Sequence, residues 1–163
     1  VLMPAFAKDI LQGGPQTLGF MMSSLGAGAL FGAFYLASRT SVKGLRKNIP
    51  LAVFVFGLGL IGMSLVHVLW IALLLAFLVG FGMMIQVASS NTWLQTNVDD
   101  DKRGRMISFY TVSFLGMAPF GSLLAGSMAG RLGVGTALFI GGVCCIAGAL
   151  FFHFRNHPAA PAV

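Results

Sequence analysis

The chain has 163 residues and a net charge of +6, with 57% hydrophobic and only 9% charged residues, and its mean hydropathy is +0.90. Soluble domains run near half apolar and a quarter charged, so this composition excludes a water-soluble globule; the apolar residues come in runs of about twenty, and lipid is the expected solvent. The basic residues lie in short gaps between those runs, which excludes a nucleic-acid face with interleaved aromatics and points to membrane topology.

In chain order, Val1 to Leu11 has neither the basic leading region nor the small-residue cleavage site of a secretory signal. Val1-Leu2-Met3-Pro4-Ala5-Phe6 reads as the last turns of a truncated helix, ending near residue 12 in the polar stretch Lys8 to Gln16. Gly13, Gly14 and Pro15 then break any helix, and a first complete span is expected over 17–36, closed by the basic loop Ala37 to Asn48. A second span, over 49–66, opens with Pro50 near the first helical position, where its missing N–H does no harm. Leu51 to Ala88 is almost unbroken apolar, too long for one crossing of a ~30 Å core at ~1.5 Å per residue. A tight reversal at His67 to Leu69 is therefore expected, with His67 and Trp70 as interface anchors. The third span covers 70–90, the polar segment Asn91 to Arg105 follows, and the fourth and fifth cover 106–130 and 132–154 ahead of a short Pro-rich tail, 155–163. The fold class is all-α, a polytopic membrane helix bundle. Cys144 and Cys145, adjacent in an apolar run, match no redox or metal-ligand spacing and read as small hydrophobes; no cofactor or metal is expected.

Positive residues are retained on the cytoplasmic side. One set of alternate loops holds Arg39, Lys43, Arg46, Lys47, Lys102, Arg103, Arg105 and Arg155, the other only Lys8 and Arg131. This places loops 37–48 and 91–105, and the C-terminus, in the cytoplasm. A stub that ends outside implies a sixth helix entering from the cytoplasm before Val1, and six helices make half of a transporter.

The run Leu94-Gln95-Thr96-Asn97-Val98-Asp99-Asp100-Asp101-Lys102-Arg103-Gly104-Arg105-Met106, followed by Ser108-Phe109-Tyr110 and a Gly-rich helix, resembles the cytoplasmic loop between the fourth and fifth helices in the second half of a major facilitator superfamily transporter. The opening Leu2-Met3-Pro4-Ala5-Phe6-Ala7-Lys8-Asp9, and Leu18-Gly19 leading into Gly26, Gly28 and Gly32, are similar to the bacterial enterobactin-exporter branch. The resemblance implies twelve helices in two pseudo-symmetric halves, of which this chain is the C-terminal one with its first helix mostly missing. It also implies a substrate site near the midplane, alternating access by rocking, and a multi-pass place in the bacterial inner membrane. Its partners would be a small-molecule substrate, the bilayer and the N-terminal six-helix half of the same chain, without nucleic acid. Ser38-Arg39-Thr40-Ser41-Val42-Lys43-Gly44-Leu45-Arg46-Lys47 is the counterpart of the family's signature loop, with Ser38 where an acid would stand.

Polar groups inside spans normally face a bundle interior or a wet cavity. Gly82, Gln86, Ser89, Ser90 and Trp93 form one stripe of the third span, and Tyr110, Ser113 and Met117 one stripe of the fourth. The substrate-cavity candidates are Gln86, Ser89, Ser90, Tyr110, Ser113, Met83 and Met117; interhelical hydrogen bonding is the alternative role for the polar ones, and gap filling for the methionines. Arg39, Lys43, Asp100, Asp101, Arg103 and Arg105 are candidates for ion pairs of a cytoplasmic gate, or for topology and helix-end solvation alone. Ser24, Gly28 and Gly32, and the pair Gly126 and Gly130, have the small-residue spacing of helix packing; Gly116, Pro119 and Gly121 could form a hinge. No Asp, Glu, Lys or Arg lies well inside a complete span, so a proton relay is not expected in this half.

The leading function is secondary active efflux of a small, partly apolar compound such as a siderophore or drug. A lysophospholipid flippase of the same fold and a non-transporting scaffold or remnant are the alternatives. An intramembrane enzyme would need a nucleophile with its base, or clustered ligands, and the spans hold neither.

Overall fold

The computed structural model describes residues 2–39, 45–98 and 100–155. All regular structure among them is helical: α1 (Met3–Ala5), running on into a π-helical turn (Phe6–Ile10), then α2 (Pro15–Ala37), α3 (Leu45–Leu65), α4 (Leu69–Asn97), α5 (Asp100–Leu132) and α6 (Val134–Arg155). Five of these helices are long and apolar enough to cross a membrane. A helix satisfies its own backbone in lipid, and the chain is an all-α membrane bundle.

Local chemistry explains where the helices stop. Gln12 takes a left-handed φ of 48°, and the Gly13 N–H donates to the Ala7 carbonyl at 2.9 Å, so the π-helical turn closes on itself. Pro15 then opens α2 behind an extended Gly14. The second reversal falls at 66–68, where Val68 is extended at φ −102° and ψ 124°. Trp70 beside it is 79% exposed, as an interface anchor would be. Gly133, between α5 and α6, has φ 89°, and its N–H donates to the Ala129 carbonyl at 3.0 Å. This is a left-handed C-terminal cap.

Two elements differ from the sequence reading. The helix α3 begins at Leu45, so Pro50 lies inside it and not at its start. The polar segment 91–105 is helical almost throughout, with Val98 extended between α4 and α5. Polar side chains sustain these projecting turns: the Gln95 amide donates to Asn91 Oδ1 at 2.9 Å, and Thr96 Oγ1 donates to the Thr92 carbonyl at 3.0 Å. These turns carry no apolar run, so their sequence reads as loop.

Between α2 and α4 a repeated contact fixes the register. Ser24 Oγ donates to the Leu73 carbonyl at 2.6 Å, between residues 49 apart in sequence. At the same offset, a Cβ on Gly28 would run into the Phe77 carbonyl oxygen, and one on Gly32 would lie 3.0 Å from that of Phe81. A constant offset means that the two helices run parallel. Phe31 against Phe77, at 5.6 Å between ring centroids, and Tyr35 against Phe81, at 6.1 Å, flank the seam.

Helix α3 packs between α4 and α6. A Cβ on Gly57 would lie 2.9 Å from the Gly142 carbonyl, and one on Gly142 2.7 Å from that of Gly57. Phe6, Met21 and Met63 are fully buried and pack with the buried Val134 and Leu138, so the π-helical turn that carries Phe6 inserts into the core of the bundle. Helix α5 stands apart, touching α6 and α4 along a short seam. A Cβ on Gly116, Gly121, Gly126 or Gly130 would meet nothing within 4 Å, and Pro119 beside them is exposed. The expected packing pair Gly126 and Gly130 thus has no neighbouring helix among the described residues, because these glycines face away from α4 and α6.

Gly28→Leu should destabilise the bundle by about 1–3 kcal/mol through overpacking against the Phe77 carbonyl, whereas Gly148→Ala, in open space, should change stability by less than about 0.5 kcal/mol. Gly133→Ala should cost about 1–2 kcal/mol from its left-handed backbone. Reversible denaturation in mixed micelles, followed by circular dichroism, measures all three.

Candidate transport cavity

Where α5 stands away from its neighbours the bundle holds two cavities. The first, about 380 Å³, reaches from the α1 turn to α5 and α6 and is lined by Phe6, Phe56, Met63, Met83, Ser122 and Leu138, among others. The second, about 310 Å³, lies between α3, α4, α5 and α6, against Val53, Phe56, Met83, Gln86, Phe114 and Cys145. Phe56 and Met83 line both, so the two cavities adjoin across these side chains. Each is at the lower end of the roughly 300–1,000 Å³ of small-molecule sites, which are apolar with a few placed polar groups.

Polar chemistry is sparse and grouped. Ser122 Oγ donates to the Pro119 carbonyl at 2.8 Å, so its proton is used within α5. Gln86 brings an amide, with two donors and one acceptor, to the second cavity. Ser89, nearly one turn further along α4, is fully buried, and its hydroxyl has no partner. The Tyr110 hydroxyl on α5 is likewise buried without a partner. The Tyr110 ring stacks on Phe114 at 6.2 Å and 20°, and Phe114 lines the second cavity. Buried hydroxyls without partners are uncommon and call for a ligand, a water or a second conformation.

The structure therefore brings Met83 and Gln86 to the cavities and sets Ser89 and Tyr110 as buried hydroxyls on the helices that line them. Ser90 is half-buried on α4. Ser113 and Met117 are exposed and line neither cavity. The inward face of α5 carries Phe114, Ala118, Gly121, Ser122 and Ala125, and at about 100° per residue Ser113 and Met117 fall to one side of it. Gly82 belongs to the α3–α4 contact, since its Cβ would lie 2.8 Å from the Ala52 carbonyl. Phe56, Phe114 and Ser122 escaped the sequence reading because apolar and Ser residues inside a span look alike on every face.

Of the gate candidates, Arg39 places its guanidinium 5.5 Å from the Tyr35 ring centroid. Asp101 and Arg105 are exposed on the first turns of α5. Asp100 and Arg103 are on the same turns, with side chains outside the described ones, and Lys43 lies outside the described residues.

Five spanning helices with apolar cavities between them, together with the family match over residues 1–162, define a multi-pass membrane transporter of the major facilitator type. More narrowly, the chain belongs to the transmembrane secretion effector family, whose model matches residues 1–162. This is a transporter family. No curated protein and no solved structure matches the chain.

Ser24→Ala, which removes an interhelical hydrogen bond, should cost about 0.6 kcal/mol. Ser89→Ala and Tyr110→Phe, which remove only unpartnered hydroxyls, should leave stability unchanged or raise it by up to about 1 kcal/mol. The same micelle denaturation separates the two classes.

Proposed function

We propose that the chain is the second half of a secondary active exporter that moves a small, partly apolar compound, a siderophore or drug, out of the bacterial cytoplasm by alternating access. The observation that carries this reading is the pair of adjoining apolar cavities with the Gln86 amide at one wall. Apolar walls favour an apolar body, and one amide orients a polar group on it. Met83, shared by the two cavities, adds a deformable surface suited to varied cargo.

The partner in this reading is an N-terminal six-helix half of the same chain. The exposed length of α5, including Phe109, Leu123 and Met117, supports a second bundle closing there. The distribution of Lys and Arg supports cytoplasmic loops at 37–48 and 91–105 and a cytoplasmic C-terminus. Ion pairs among Arg39, Lys43, Asp100, Asp101, Arg103 and Arg105 would then close the inner gate against the other half. No Asp, Glu, Lys or Arg lies well inside a span, so coupling to protons would use carboxylates of the other half.

Export of a lipophilic fluorescent dye and of a catecholate siderophore, from bacteria lacking their own efflux pumps, tests the reading. The full-length protein should export at least one of them, and Gln86→Leu should slow that export about three- to tenfold at unchanged protein level, the loss of about one hydrogen bond. Export unaffected by Gln86→Leu, or absent from the outset, would contradict it. Lysophospholipid translocation without dye or siderophore export would favour the flippase.

A further inference from the structure

A third cavity, about 270 Å³, lies between α2, α3 and α4 and shares no lining residue with the other two. Tyr35 closes α2 on one side, Asn48, Leu51 and Val55 come from α3, and Phe81 and Ile85 from α4. It is polar at one end only. Asn48 opens the membrane-spanning part of α3, and its amide nitrogen is buried without a hydrogen-bond partner, a costly state for a donor. Beside the same mouth, the exposed Arg39 holds its guanidinium 5.5 Å from the Tyr35 ring. From Asn48 to Val55 the lining of α3 is otherwise apolar and runs roughly 10 Å at ~1.5 Å per residue, about two thirds of one leaflet of a ~30 Å core. Leu51 on this wall is 62% exposed, so the groove opens towards the surrounding lipid.

Charge selects the occupant. Between Ala37 and Asn48 the sequence carries Arg39, Lys43, Arg46 and Lys47 and no acid. Four cations at the end of a membrane helix are the composition that attracts anionic headgroups. A free anion would leave the apolar groove unused, and a neutral lipid would leave the cations unmatched.

We propose that this groove binds an anionic glycerophospholipid, its phosphate accepting from the Asn48 amide and the Arg39 guanidinium and one acyl chain lying along Leu51 and Val55. The lipid is a resident of the bundle surface and not its cargo. The site stands independently of the direction or substrate of transport.

The test is native mass spectrometry of the delipidated full-length protein, titrated in detergent with dioleoyl phosphatidylglycerol or dioleoyl phosphatidylcholine. Phosphatidylglycerol should bind about tenfold more tightly. Arg39→Gln should weaken it about fivefold, the worth of about one cation, and narrow the preference over phosphatidylcholine; Asn48→Leu, which removes a phosphate donor that serves both lipids, should weaken both about fivefold. Asn48→Gln, which keeps the donors, and Arg131→Gln, on a different loop, should bind like the native protein. Equal affinity for the two lipids in the native protein overturns the proposal whatever the variants do. So does native-like phosphatidylglycerol binding by folded Arg39→Gln and Asn48→Leu, or displacement of the lipid by equimolar inorganic phosphate, which would make this a free-anion site.

Discussion

The carbonyl oxygens of Phe77 and Phe81 face Gly28 and Gly32 with no room for a side chain between them, and that backbone contact sets the spacing of the bundle. In lipid no hydrophobic force draws one helix to another, so association depends on close packing and on interhelical hydrogen bonds. Ser24 supplies such a bond to Leu73 in the same register. With α2 and α4 locked in parallel, α3 fits antiparallel against α4, and the mutual contact of Gly57 and Gly142 ties α6 to α3. The result is a rigid slab of α2, α4, α3 and α6.

Helix α5 is outside that slab. Its glycines meet no backbone, its inward face beyond Phe114 is made of small residues, and space remains between it and α3, α4 and α6. The unpartnered hydroxyls of Ser89 and Tyr110 are on α4 and α5, the helices that border this loosely packed region. A tightly packed scaffold beside a loosely held helix is what a transporter needs. In the proposed function the scaffold would keep its shape while the cavity opens, closes and admits its cargo.

Composition and run length were enough to read the spans and the all-α class, because a bilayer demands about twenty apolar residues per crossing. The reversal near His67 was legible from length alone, as one crossing cannot absorb Leu51 to Ala88. The polar helix turns were not: Arg46 and Lys47, or Asn91 to Asn97, carry no apolar run, and their helicity rests on continuity with a spanning segment. The four-residue spacing of Ser24, Gly28 and Gly32 marked a packing face, but the same spacing at Gly126 and Gly130 faces open space. Spacing identifies a helix face that permits close approach; only the fold decides whether a partner arrives. For the same reason Gly57 and Gly142 gave no signal, since neither is informative without the other. In the candidate site Gln86 was legible as a residue on a polar stripe, and Met83 as a deformable methionine inside the same span. The inward face of α5 was not, because inside a span every face is apolar and only the neighbours distinguish lining from lipid contact.

In the proposed function the space around Met83 is a water-accessible cargo cavity and not a packing defect sealed by the bundle. The most direct measurement places a single cysteine there, Met83→Cys in the full-length protein with Cys144 and Cys145 replaced by Ala, and follows its modification by a membrane-impermeant thiol reagent in inside-out and right-side-out vesicles. Modification from at least one side is expected, with protection when a transported compound is added. A cysteine that reacts from neither side, or whose reaction no transported compound slows, would contradict it.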